Sequence, residues 1–231
     1  EDVHVVDCKG LCLAPGLVDM RVSTGEPGNE HIETLATAAQ AAVAGGVTTF
    51  TCLPNTDPIV DDVAVLEFVE RLGRDVGLVN IHSYAAATKG LGGKVMTELG
   101  LLHESGAAGF TDGGKAIAHP LVMRRLLSYA QLFDTVIIQH PEMPEMVGSG
   151  VMNEGETATR LGLPGIPAAA EVMMIERDLR LVELTGGRLH FSCLSTAAAV
   201  DAVRRAKAAG LRVTADTAPP YFSLTESAVV G

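Results

Sequence analysis

From Leu17 to Ala215 the chain alternates short apolar runs with longer amphipathic ones, at a spacing of roughly 30 residues. The short runs Leu17–Val22, Val47–Leu53, Leu78–Ala87, Ala107–Thr111, Thr135–Gln139, Arg188–Leu194 and Leu211–Ala215 read as strands. Between them, helical spacing covers Glu30–Gly45, Asp62–Arg74, Thr97–Ser105, Pro120–Leu132, Ala168–Leu184 and Ala197–Ala209. In the first of these helices Ile32, Leu35, Ala38, Ala39, Ala42 and Val43 form the apolar stripe, and Gly45-Gly46 stops it. Leu121, Met123, Leu126, Leu127 and Ala130 are the inward set of the fourth. A long connection spans Met143–Pro167, and Thr217–Gly231 reads as a loop. About seven βα periods imply a parallel sheet with right-handed crossovers. No strand leads into G-x-G-x-x-G, which lowers a dinucleotide-binding reading. The expected fold class is α/β: a (β/α)8 barrel lacking its last unit first, an open doubly wound sheet second.

The 231 residues are 47% apolar, enough for a sizeable core, but only 4% aromatic with no Trp. That core must be built from Ala, Val, Leu and Met. A net charge of −11 argues against a nucleic-acid partner, which needs a basic surface. No apolar run reaches the ~18 residues of a membrane helix. Glu1-Asp2-Val3-His4 carries no charged-then-apolar leader pattern and no initiator Met, so the chain is expected to begin inside a longer protein. Residues 1–15, with the alternating run His4-Val5-Val6-Asp7, read as the end of a small β-rich domain, and residues 16–231 as the barrel domain. Cys8 and Cys12 are spaced C-x3-C without a second pair, so with Cys52 and Cys193 they read as reduced thiols of a cytoplasmic protein.

The stretch Pro15-Gly16-Leu17-Val18-Asp19-Met20-Arg21-Val22-Ser23-Thr24-Gly25-Glu26-Pro27-Gly28 is a strand followed at once by a polar, Gly-rich turn. Parallel α/β proteins place their chemistry at such strand ends. The stretch resembles the first barrel strand of the cyclic amidohydrolases, dihydroorotases above all, whose form is Pro-Gly-x-x-Asp-x-His-x-His-x-Arg-Glu-Pro-Gly. Cys52-Leu53-Pro54-Asn55-Thr56-Asp57-Pro58, Thr88-Lys89-Gly90, Val151-Met152-Asn153-Glu154-Gly155-Glu156 and the Pro167, Glu171, Arg177-Asp178 pattern extend the resemblance over essentially the whole chain. It implies a barrel of the amidohydrolase superfamily and hydrolysis of a cyclic amide, dihydroorotate to carbamoyl aspartate. In that family one or two divalent metals lower the pKa of a water and polarise the carbonyl.

The resemblance also locates what has changed. Arg21 and Ser23 stand where the family has its paired metal-binding histidines, and Gly25 where an arginine holds the substrate carboxylate. Arg has no lone pair to give a metal and is expected to find a carboxylate such as Glu26 or Asp112. Asp112 falls where members tend to show Asp-Asp-Gly, and also suits an ordinary turn before two glycines. His140 is the best kept ligand position. Cys193 replaces the strand-six histidine, while His190, three residues earlier, is expected on the opposite strand face. Asn55 matches an asparagine that helps hold the substrate carboxylate. Ala218-Pro219-Pro220-Tyr221 departs from the family's Pro-x-His, its bulk filling substrate space. His103 and His119 receive no role.

The preferred expectation is a dihydroorotase-like protein of pyrimidine biosynthesis that has lost its metal and its catalysis, with no cofactor. The resemblance implies a scaffold role for aspartate transcarbamoylase and a homo-oligomer. The alternative is an active hydrolase with zinc in a site rebuilt from Asp112, His140 and Cys193. A third reading is a binding module in which Arg21 holds a small anion.

Overall fold

The computed structural model describes Val3 and residues 5–230. Its strands are β1 (Leu17–Val22), β2 (Val47–Cys52), β3 (Asn80–Ser83), β4 (Ala85–Ala86), β5 (Phe110–Thr111), β6 (Val136–Gln139), β7 (Met152–Asn153), β8 (Gly165–Ile166), β9 (Arg188–Phe191) and β10 (Val213–Ala215). Its helices are α1 (Leu35–Ala44), α2 (Val63–Val76), α3 (Leu99–Glu104), α4 (Pro120–Ala130), α5 (Pro144–Val147), α6 (Glu156–Leu161), α7 (Ala169–Thr185), α8 (Ala197–Ala208) and α9 (Pro219–Ser223). The fold is α/β with every strand pair parallel. One sheet runs β1-β2-β3 and a second β10-β9-β6-β5-β4, beside a small β7-β8 ribbon.

The two larger sheets meet around Tyr84, where Ser83 O of β3 also accepts from the Ala108 amide at 2.9 Å. The Tyr84 amide donates to Cys52 O at 3.0 Å, on the β2 side, and the next amide, Ala85, donates to Gly109 O at 3.0 Å, leading into β5. The chain thus changes neighbour between β3 and β4 without leaving the extended state. Helices pack on one another and on their strands, in the pairs α1·α2, α2·α3, α3·α4, α4·α7 and α7·α8, with α5 and α6 set in the connection between α4 and α7. One apolar cluster fills the space between, with Phe50, Phe110, Phe191, Leu35, Leu66 and Leu126 fully buried. Small residues such as Ala39, Ala85, Ala87 and Ala199 let helices and strands approach closely.

Local chemistry sets most boundaries. Asp62 caps α2 by accepting from the Val65 amide at 3.1 Å, and Gly77, in the left-handed region at φ 62°, ends it. Helix α1 starts at Leu35, five residues after the expected Glu30. Thr34 and Thr37 form a capping box there, and Ile32, taken as part of the stripe, is 71% exposed. In α4 the inward set is shifted: Val122 is buried and Leu121 is 43% exposed. The expected loop Met143–Pro167 holds α5, β7, α6 and β8, and the expected loop Thr217–Gly231 holds α9. The run His4–Asp7 begins at a residue outside those described, and Val5, Val6 and Asp7 carry no regular structure. Among the described residues no helix is long and apolar enough to cross a membrane.

Both outer edges are unpaired among the described residues. Leu17 and Val18 of β1 are each 62% exposed, and β1 lines a cavity of about 460 Å3 with Cys193 and the residues that follow β10, Asp216 to Pro219.

Candidate functional site

The carboxyl ends of the strands converge on one side chain. Arg21, the penultimate residue of β1, reaches across the sheets and donates from Nη1 to Ser192 Oγ at 2.9 Å and to Gly113 O at 3.5 Å. Ser192 follows β9 and Gly113 follows β5, so one guanidinium links the ends of three strands. Neither expected partner takes it. Glu26 instead accepts from the Leu35 amide at 2.8 Å, at the start of α1. Asp112 is spent on Thr88, accepting from its amide at 2.9 Å and from its hydroxyl. Burial pushes the Asp112 carboxyl above the usual carboxylate range, against the pull of those bonds.

Around the guanidinium stand carboxylates to which sequence reasoning gave no role. Asp216, just after β10, accepts from the Cys193 amide at 2.6 Å and meets His190 Nε2 at 3.0 Å. Burial works to raise its pKa, but the His190 and Cys193 hydrogen bonds and the field of Arg21 outweigh it, leaving Asp216 below its ordinary value. Glu142, after β6, is likewise held low, first by the hydrogen bond from His140. The only signal for either was position: a carboxylate within three residues of a parallel strand's carboxyl end.

The remaining candidates are placed as follows. His140 approaches Glu142 through Nε2 at 3.4 Å, while its buried Nδ1 has no hydrogen-bond partner. Cys193 sits in the left-handed region at φ 61°, and burial pushes its thiol upward, against Arg21. His140, Cys193, Glu171 and Tyr221 line one small cavity of about 60 Å3, with Tyr221 itself about half exposed. His190 is buried and turned to Thr214 and Asp216. Asn55 donates to Ser23 Oγ at 3.4 Å, on the exposed side. At Gly25 the turn has closed inward: a Cβ there would lie 2.0 Å from Asn29 O, so no arginine fits this backbone.

These residues do not fit a divalent metal. Among the described residues no three His, Cys, Asp or Glu side chains are grouped to hold one. Asp112, His140 and Cys193, the set for a rebuilt site, are not grouped: Asp112 is turned to Thr88 and His140 to Glu142. A permanent cation, Arg21, already occupies the convergence point.

The family profile described as Dihydro-orotase-like matches residues 10–199. The chain belongs to the dihydro-orotase-like family. Relatives named dihydroorotase include one from Syntrophus aciditrophicus, 44% identical over 229 residues, covering 99% of this chain and 54% of the relative. Another, from Syntrophobacter fumaroxidans, is 48% identical over 222 residues, covering 96% of this chain and 51% of the relative. The chain thus spans about half the length of the curated relatives it matches. Among solved structures, an L-hydantoinase (dihydropyrimidinase) from Arthrobacter aurescens shares the fold at TM-score 0.71 and 20% identity, over 92% of this chain and 49% of that one. A D-hydantoinase from Thermus sp. does so at TM-score 0.65 and 22% identity, over 92% of this chain and 48% of that one. Membership of the dihydro-orotase-like family bears out the sequence resemblance.

Proposed function

We propose that this is a dihydroorotase-like protein without catalytic metal, whose barrel serves as a scaffold rather than a hydrolase. The observation that carries the reading is the Arg21 guanidinium anchored between Ser192 and Gly113 where strand ends converge. A fixed cation there repels a divalent ion, and its field adds to the hydrogen bonds that hold the nearby carboxylates Asp216 and Glu142 below their ordinary pKa. The closed turn at Gly25 removes the substrate-carboxylate arginine as well. The fold reading completes the same proposal: β1 and β10 are two edges of a (β/α)8 barrel, and a further strand of the whole protein occupies the cavity between them. Aspartate transcarbamoylase as the partner, a homo-oligomeric assembly and a cytoplasmic setting follow from the family resemblance.

The test uses the whole protein. Metal analysis after dialysis is expected to give far less than one ion per chain, with no dihydroorotate turnover. Sedimentation with aspartate transcarbamoylase is expected to give a joint boundary. About one zinc per chain, removable together with turnover, overturns the reading. So does independent migration of the two proteins for the scaffold role.

A second reading, an active hydrolase, is favoured by two facts. The relatives of 44–48% identity carry the name dihydroorotase, and His140 Nδ1 is buried without a partner. The same metal analysis separates the two readings.

A further inference from the structure

A third cavity, of about 550 Å3, opens beside the Arg21 site, with Gly114 on its wall. It lies between the loop after β4, the loop after β5 and helix α5. Its volume falls in the range of small-molecule sites, roughly 300–1,000 Å3. Two of the chain's five lysines, Lys94 and Lys115, line it, together with His119. Among the described residues none of the five lysines takes part in an ion pair, whereas six arginines do, so both ammonium groups at this cavity are available to a ligand. Lys94 and Lys115, both exposed, put two cations on the wall of one cavity in a chain of net charge −11. One carboxylate, Glu142, shares the wall, and it is turned to His140. Leu91 and Val147 give the cavity an apolar side.

The two lysine-bearing loops are braced against each other. Asp112 takes the amide and hydroxyl of Thr88, and Thr88 Oγ1 accepts from the Gly93 amide at 2.8 Å, one residue before Lys94. The Lys115 amide in turn donates to Asp112 O at 3.2 Å. Beyond it, Arg177 fixes the far side of the second loop through Ile117 O at 2.9 Å and Ala118 O. The backbones that present both ammonium groups are therefore set in advance, which lowers the ordering cost of binding.

We propose that this cavity binds a small organic molecule through a phosphate or pyrophosphate group, with Lys94 and Lys115 on the anion and Leu91 and Val147 against its apolar body. Asp112 is then a positioning residue for this cradle. The proposal is independent of whether the Arg21 site catalyses.

Calorimetric titration of the whole protein with inorganic pyrophosphate tests it. Saturable binding is expected, weakening as salt is raised. The double variant Lys94→Glu/Lys115→Glu is expected to bind at least about tenfold more weakly, the scale of one lost charged contact. Lys207→Glu, on the exposed face of α8, is expected to match wild type. A second measurement needs no variant: pyrophosphate should protect Lys94 and Lys115, and not Lys207, from an amine-reactive reagent read by mass spectrometry. No saturable binding up to about 10 mM, equal binding by both charge variants, or no selective protection overturns the proposal.

Discussion

At the scale of single residues, the site rests on groups whose partners lie far away in sequence. Arg21 bonds residues 92 and 171 positions away, so its role was not legible beside Glu26 in the sequence. What was legible was the loss: an arginine at a ligand position is chemically incapable of ligation whatever it touches. Arg21→Met keeps the aliphatic bulk and removes both hydrogen bonds. It is expected to lower stability by about 1–3 kcal/mol in urea unfolding, since Ser192 and Gly113 lose a charged donor. An unchanged midpoint would show that the guanidinium is only decoration. Asp178 offers a pH test. It is fully buried, bonded to Gln139 at 3.0 Å and paired with Arg177. Burial nevertheless pushes its carboxyl up to about 6, against the pull of Arg177 and Gln139. A folded pKa above the unfolded one means that this group's stability contribution is whole below the unfolded pKa of about 4 and lost as pH rises through about 6. Asp178→Asn is expected to flatten the stability profile between about pH 4 and 6, by an amount on the order of 2–3 kcal/mol. Parallel profiles for the two proteins would count against it.

At the scale of elements, existence and type were readable and ends were not. Helix α2 announced its start through Asp62, a residue that caps from one side chain. Helix α1 did not, because its cap needs Thr34 and Thr37 to bond each other, and Ile32 mimics the stripe while standing in solvent. The connection at Met143–Pro167 was read as loop because β7 and β8 are only two residues each, below any periodicity. Helix α8 depends on a carboxylate from another helix. Glu171 of α7 accepts from the amides of Ser195 and Thr196 at 2.8 and 2.9 Å, and from both hydroxyls. A carboxylate against a helix N-terminus is favoured by the aligned peptide dipoles as well. Glu171→Ala should therefore cost roughly 2–4 kcal/mol and loosen α8 first, seen as faster amide exchange at Ala199 and Val200 than in α2. Strand β1 gives the opposite case: its outer edge is unpaired among the described residues, and Leu17, Val18 and Met20 are exposed. In the 231-residue chain its amides are expected to exchange faster than those of β9, and in the whole protein as slowly. Fast exchange in both would remove the case for a closing strand.

At the scale of the whole molecule, the βα period alone pointed to the parallel α/β architecture, because seven repeats of strand and helix leave few other ways to bury both. The site was legible only as a set of departures, since the new contacts of Asp216, Glu142 and Asp112 appear once the strand ends are brought together. A molecule wired by an arginine should melt at the same temperature in chelator as in added zinc, within about 1 °C, whereas a protein stabilised by bound metal shifts with its concentration. A zinc-dependent rise in melting temperature would contradict the wiring. Geometry adds a last point. Tyr84 is where the chain passes from one sheet to the other, like the spine of a book, and Arg21 reaches from the first leaf to the second at the opposite margin. Arg21 is thus a clasp: without it, the two leaves are held by the crease around Tyr84, with its few backbone bonds, and the greasy pages between them.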